Sequence, residues 1–124
     1  MPDDAVPGSE VAARLAEVLA AEQAATRERL AGLERERAAI IEAAGSAGND
    51  DEHDPEGHTI AFERQHVAAL ISQAREHLGQ IDAATRRLAD GSYGICEGCG
   101  QRIATARLAA RPSTTLCIGC ASAR

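Results

Sequence analysis

The sequence predicts a mainly α protein: a long antiparallel two-helix coiled-coil hairpin followed by a small four-cysteine zinc finger. Three observations predict it. All four cysteines fall in two Cys-x-x-Cys pairs, Cys96/Cys99 and Cys117/Cys120, with 17 residues between the pairs. Two long stretches rich in helix formers carry apolar residues at alternating steps of four and three, the spacing of a coiled-coil seam. Between them lies a run of glycine, asparagine and acidic residues that no helix favours.

The composition bounds this reading. The chain has 124 residues, with no Trp, one Phe, one Tyr and one Met, and alanine is the largest share of its 44% hydrophobic content. One domain of thin core is the most that such residues build, so the chain should be elongated, with metal contributing much of the order at one end. The net charge is −6, and residues 1–90 contain 18 acidic against 9 basic side chains. Residues 91–124 reverse the sign, with Glu97 against Arg102, Arg107, Arg111 and Arg124. That balance argues against a chain that wraps nucleic acid along its length. The first eight residues have neither a basic n-region nor an apolar run, and no stretch approaches membrane length. A cytoplasmic, soluble protein is expected.

Residues 1–8 read as a disordered acidic leader, after which Ser9 is placed to cap a helix from Glu10 to about Ala44. Its seam is Leu19, Gln23, Thr26, Leu30, Leu33, Arg37, Ile40 and Ala44, with Gly45–Asn49 as the breaker. A second helix should begin between Asp54 and Thr59 and carry the seam Ile60, Arg64, Val67, Ile71, Ala74, Leu78, Ile81, Thr85 and Leu88, ending at Gly91. Two such helices joined by a short connection pack most economically against each other. The organisation expected is a leader over 1–8, a hairpin over 9–90 with an acidic tip near 45–59, and a zinc finger over 91–124. A monomer is expected, with pairing between chains as the alternative. Phe62 and Tyr93 read as packing residues.

Cys96, Cys99, Cys117 and Cys120 are the expected ligands of one structural Zn²⁺. Each Cys-x-x-Cys turn aims two sulfurs at one point, and a d¹⁰ ion that prefers thiolates closes the tetrahedron with no position left open for substrate. Gly98, Gly100 and Gly119 are expected to permit the backbone of the two turns. A disulfide pair and a thiol redox switch are the competing readings; the absence of a secretory signal and the compact spacing favour zinc. No nucleophile stands at a recognisable spacing from a base, no Gly-rich loop cradles phosphate, and no histidine pair has i, i+4 spacing, so the chain is not expected to be an enzyme.

Asp90-Gly-Ser-Tyr-Gly-Ile-Cys-Glu-Gly-Cys-Gly100, Ile103-Ala-Thr-Ala-Arg-Leu108, Arg111-Pro112 and Thr115-Leu-Cys-Ile-Gly-Cys120 resemble the C-terminal zinc finger of the DksA/TraR family, and the likeness extends over about residues 60–122. The resemblance implies a bacterial transcription regulator that binds RNA polymerase through its secondary channel rather than binding DNA. It also implies that acidic residues at the hairpin tip reach toward the catalytic centre; Asp50, Asp51 and Asp54 are the candidates here. The family's tip motif, Asp-x-x-Asp-x-Ala, falls on residues 54–59, where Asp54 matches and Gly57 and Thr59 depart. Some members act with guanosine tetraphosphate. Arg111 matches one basic position used for that anion, but two others fall on the uncharged Gln80 and Ala121, so the nucleotide is not expected as a cofactor. The alternatives left open are a zinc-ribbon module contacting nucleic acid through Arg102, Arg107 and Arg111, or an adaptor, and a thiol redox sensor. Direct DNA binding is not expected, since four arginines without interleaved aromatics make a weak footprint.

Overall fold

A computed structural model describes residues 9–46 and 55–123. The elements are α1 (Ser9–Ser46), α2 (Pro55–Asp90), α3 (Thr105–Ala110) and α4 (Ile118–Ser122). Among the described residues there is no strand, only an isolated antiparallel bridge between Ile95 and Arg102. The fold is the expected one: the two long helices pack as an antiparallel hairpin, and the cysteine-bearing finger follows. No described helix is long and apolar enough to cross a membrane.

The chain divides into two compact units. One consists of residues 25–77. Here Thr26, Val67, Ile71 and Ala74 are buried, and Leu30, Leu33, Arg37, Ile40 and Ala44 are half-buried, every one of them an expected seam position. The alternating three–four spacing works because it keeps one stripe of each helix turned to its neighbour over many turns. An ion pair, Arg75 Nη2 to Glu34 Oε2 at 2.8 Å, crosses between the helices. Its two side chains are 56% and 40% exposed, so solvent screening leaves it about 0–1 kcal/mol. Two expectations fail in this unit. Arg64 is exposed rather than in the seam, and Phe62 is 74% exposed rather than packed. Helix α1 also runs through Gly45 to Ser46, two residues beyond the expected end. A single glycine at a helix end costs only about 1 kcal/mol and does not stop the helix by itself.

The other unit joins residues up to Ala24 to Leu78–Arg124. Its core is shared between helices and finger: Leu15 and Leu19 from α1, Ile81 and Ala84 from α2, and Tyr93, Cys96, Ile103 and Leu108 from the finger. Leu88, Leu116, Cys117 and Cys120 pack around it. Across the helices, Gln23 Nε2 donates to Asp82 Oδ1 at 2.9 Å. The strict seam breaks in this unit. Alternation would bring Ala16 and Thr85 inward, yet both are exposed, while Leu15 and Ala84 are buried. The reason is that this end of the hairpin packs on the finger as well as on itself, so a wider stripe than one coiled-coil seam is covered. Thr85 instead donates its hydroxyl to the Ile81 carbonyl at 3.0 Å, one turn back on its own helix.

Helix α2 ends as expected. Gly91 takes φ +87°, and the N–H of Ser92 donates to the Arg87 carbonyl at 2.9 Å, the six-to-one bond of a Schellman closure. Asp90 accepts from the Ser92 hydroxyl at 2.7 Å and from its N–H at 3.0 Å, which holds the Asp90 carboxyl below the usual range. The chain leaves the helix in a fixed direction and enters the finger two residues later.

Candidate metal centre

The first knuckle is a tight hairpin. Ile103 N–H donates to the Gly94 carbonyl at 2.7 Å, Cys96 N–H to Gln101 at 2.8 Å, and Gly100 N–H to Cys96 at 2.9 Å. Gly100 turns the chain at φ +76°, as expected. Gly98 has a different task from the one expected of it: a Cβ there would lie 3.0 Å from Cys120 Sγ and 3.2 Å from Cys120 Cβ, so the residue is needed for close approach. Gly119 sits in α4 with no positive φ and its nearest neighbour, Cys117 Sγ, at 3.9 Å; neither backbone strain nor crowding requires glycine there.

The second knuckle begins at Cys117, which caps α4 by accepting the Cys120 N–H on its sulfur at 3.4 Å. The two knuckles meet through Cys96, whose sulfur accepts from the N–H groups of Gly98 and Cys117, each at 3.3 Å. Glu97 N–H donates to the Thr115 carbonyl at 2.8 Å and fixes one turn against the other. All four sulfurs lie within 4.8 Å of one another. The separation of Cys99 and Cys117 Sγ, 3.9 Å, matches the edge of a tetrahedron with Zn–S bonds of ~2.3 Å, about 3.8 Å. A disulfide requires ~2.05 Å, and all four cysteines are free. The disulfide reading is thereby excluded for this structure.

The electrostatics of the donor set call for a cation. The N–H of Cys117, with those of Cys99 and Gly98, holds the Cys96 thiol down at about 6 against the opposing effect of burial. Cys120, surrounded by the sulfurs of Cys96, Cys117 and Cys99, is pushed up to about 12. Four sulfurs this close cannot all be thiolates unless a positive ion lies between them, and a soft divalent ion meets that need.

Cys96 is buried, Cys117 and Cys120 half-buried, and Cys99 exposed. The packing expected of Tyr93 is found: it is 1% exposed, and its hydroxyl donates to the Pro112 carbonyl at 2.7 Å. That bond ties the start of the finger to the segment between the knuckles. Arg111 is exposed at the end of α3. Arg107 is half-buried and bonded within the finger, its Nε donating to the Leu116 carbonyl at 2.7 Å. Sequence reasoning groups it with the nucleic-acid candidates and gives no sign of this internal use. Asp50, Asp51 and Asp54 lie outside the described residues, as does the leader over 1–8.

Residues 91–124 match the family model described as the prokaryotic dksA/traR C4-type zinc finger. Over 44 residues the chain is 50% identical to the RNA polymerase-binding transcription factor DksA of Caulobacter vibrioides, covering 36% of this chain and 31% of that protein. Over 84 residues it is 32% identical to General stress protein 16O of Bacillus subtilis, covering 67% of this chain and 52% of that one. The matched stretches thus span less than two thirds of these relatives. A solved structure of transcription factor DksA2 from Pseudomonas aeruginosa shares the fold with a TM-score of 0.77 at 24% identity, covering 94% of this chain and 84% of that one. The finger match and the curated relatives agree with the close-set cysteines: residues 91–124 are a dksA/traR C4-type zinc finger with one structural zinc, on a chain that shares the fold of DksA2.

Proposed function

We propose that this chain is a bacterial transcription regulator that binds RNA polymerase, with its hairpin entering the secondary channel, and that it does not act by binding DNA. The observation that carries the reading is the shared core of finger and hairpin: Tyr93, Cys96, Ile103 and Leu108 pack with Leu15, Leu19, Ile81 and Ala84. A finger built this way is the footing of a helical hairpin rather than a free reader of nucleic acid. Relatives named as RNA polymerase-binding transcription factors support the same reading. The nucleic-acid alternative loses an arginine, because Arg107 is bonded to Leu116.

In this proposal Cys96, Cys99, Cys117 and Cys120 hold the zinc. When bound, the ion neutralises the thiolates and supplies no reactive position, because four protein ligands close its tetrahedron. The chain's own residues do the rest. Tyr93 and the backbone donors to Cys96 keep the finger packed on the helix ends, the acidic residues Asp50, Asp51 and Asp54 act at the polymerase, and Arg111 offers an exposed cation to polymerase or to an anion. The protein is a cytoplasmic monomer without catalytic activity of its own.

The test is co-purification of the zinc-loaded chain with core RNA polymerase, run beside a salt titration of DNA binding. Retention on polymerase, with no DNA affinity that falls steeply as salt rises, is the expected result. DNA binding with a steep salt slope and no retention on polymerase refutes the proposal. Light scattering at low micromolar concentration should give the mass of one chain; a stable dimer refutes that part.

A further inference from the structure

We infer that Arg107 is a positioning residue for the metal site, holding the segment that delivers Cys117, with Thr114 as its relay. The inference rests on the reading that the four cysteines hold zinc. Arg107 lies in the short helix α3 between the knuckles and is no ligand itself. Its guanidinium reaches across to Thr114 and Leu116, in the segment that leads into the second knuckle. Nε donates to the Leu116 carbonyl at 2.7 Å, and Nη2 contacts Thr114 Oγ1 at 3.4 Å. Thr114 Oγ1 in turn accepts the Leu116 N–H at 3.2 Å and lies 3.1 Å from the Leu116 carbonyl oxygen. Both polar groups of the Leu116 backbone are therefore engaged by one side-chain pair.

The consequence for the metal comes from what the peptide after Leu116 carries. The same peptide group that presents its carbonyl to Arg107 presents its N–H, that of Cys117, to Cys96 Sγ at 3.3 Å. Fixing the plane of that peptide fixes the direction of the donor to one ligand and the Cα position of another. From the opposite side, Thr115 is held by the Glu97 N–H at 2.8 Å, and Leu116 Cδ2 would lie 3.4 Å from a Cβ at Gly98. Arg107 supplies the remaining restraint. A planar guanidinium suits this better than an ammonium, because it sends two N–H groups in fixed directions to two acceptors. A charged donor to a carbonyl is also stronger than a neutral one. Partners that orient ligands without touching the ion typically govern metal affinity by about 10–100-fold.

The experiment uses the zinc-loaded full chain in competition with a chromophoric chelator, and Co²⁺ as a spectroscopic substitute. Arg107→Ala should weaken zinc binding about 10–100-fold, Arg107→Lys and Thr114→Val by less, and the exposed Arg111→Ala by under about twofold. At saturating Co²⁺, the thiolate charge-transfer and d–d bands of Arg107→Ala should shift in position, since the Cys117 sulfur approaches at a changed angle. A variant that weakens folding away from the cysteines, Ile71→Ala in the unit of residues 25–77, should leave the bands in place at saturation. Zinc affinity of Arg107→Ala equal to the parent's, or unshifted cobalt bands, overturns the inference. Should Arg107→Ala fail to fold, unchanged affinity in both Arg107→Lys and Thr114→Val overturns it instead. If the parent chain itself takes up no zinc, the ligand assignment falls and this inference with it. A parent that binds zinc beside variants that bind as tightly removes this inference alone.

Discussion

Replacing Ile81 by alanine should weaken the finger as much as the hairpin. Ile81 is fully buried in the cluster that contains Leu15, Leu19, Tyr93 and Cys96. The change removes three carbons, worth about 2.4 kcal/mol at about 0.8 kcal/mol each, and leaves a cavity that raises the cost toward about 3–4 kcal/mol. Tyr93 is the chain's one tyrosine, there is no tryptophan, and it sits in the same cluster, so its fluorescence reports this core directly. In urea, with zinc held constant, the tyrosine midpoint should fall by at least about 1 M if the slope is about 1–3 kcal/mol per molar. Thr85→Ala is the control. A strict seam would give Thr85 the inward position, but it is exposed, and its replacement should change stability by less than about 0.5 kcal/mol. A tyrosine midpoint unmoved by Ile81→Ala, or lowered as far by Thr85→Ala, refutes the shared core and the register that builds it.

Gly98→Ala should lower zinc affinity with every ligand still present, because its Cβ must displace Cys120 from 3.0 Å; crowding of this kind costs about 1–3 kcal/mol, or roughly 5–150-fold, and chelator competition measures it. Burial raises the Tyr93 pKa above its ordinary 10.0, with nearby Arg87 opposing the shift. The folded state thus favours the neutral phenol: this contribution is fully present below pH 10 and is lost as pH rises through the higher folded value, so absorbance at the tyrosinate band should appear later in folded than in urea-unfolded protein. On the proposed function, Asp54→Asn should leave polymerase binding unchanged while abolishing the effect on transcription at equal occupancy, since a single carboxylate adds little to a broad interface, whereas a charge brought close to a partly dehydrated metal centre is screened far less than one in water. Gly57→Asp with Thr59→Ala should strengthen that effect; an Asp54→Asn protein that regulates normally at saturation removes the tip from the mechanism.

Much of this architecture can be read from residue spacing. Within residues 25–77, where each helix has only the other to pack against, the seam follows the three–four rule except at Arg64, and Thr26 and Ala74 obey it although neither is a large hydrophobe. The cysteine spacing likewise points to the cluster that the structure assembles. What spacing misses has a common cause, namely contacts made by residues distant in the chain. Leu15 and Ala84 are buried because the finger covers them, and no local period contains that fact. Arg107 reads as a surface cation until the carbonyl it meets is known. Phe62 misleads for the opposite reason: one of only two aromatics in an alanine-rich chain reads as packing, yet it is exposed. Gly98 and Gly119 look alike in their Cys-x-Gly-Cys contexts, and only the neighbouring chain distinguishes the one that must be small.

The burial of Cys96 beside Leu15 and Leu19 has a consequence for the order of events during synthesis. Leu15 and Leu19 leave the ribosome before the groups that cover them, since Tyr93, Ile103 and Leu108 are made at least seventy residues later. Until then the helix ends expose an apolar surface that the hairpin alone does not close, a hazard for a nascent chain. Because Cys96 belongs both to the metal site and to this core, capture of the ion should favour closure of the surface. Zinc supply should then limit how many newly made chains reach the folded state, and scarcity of the metal should appear as loss of protein to proteolysis before it appears as loss of any regulatory output.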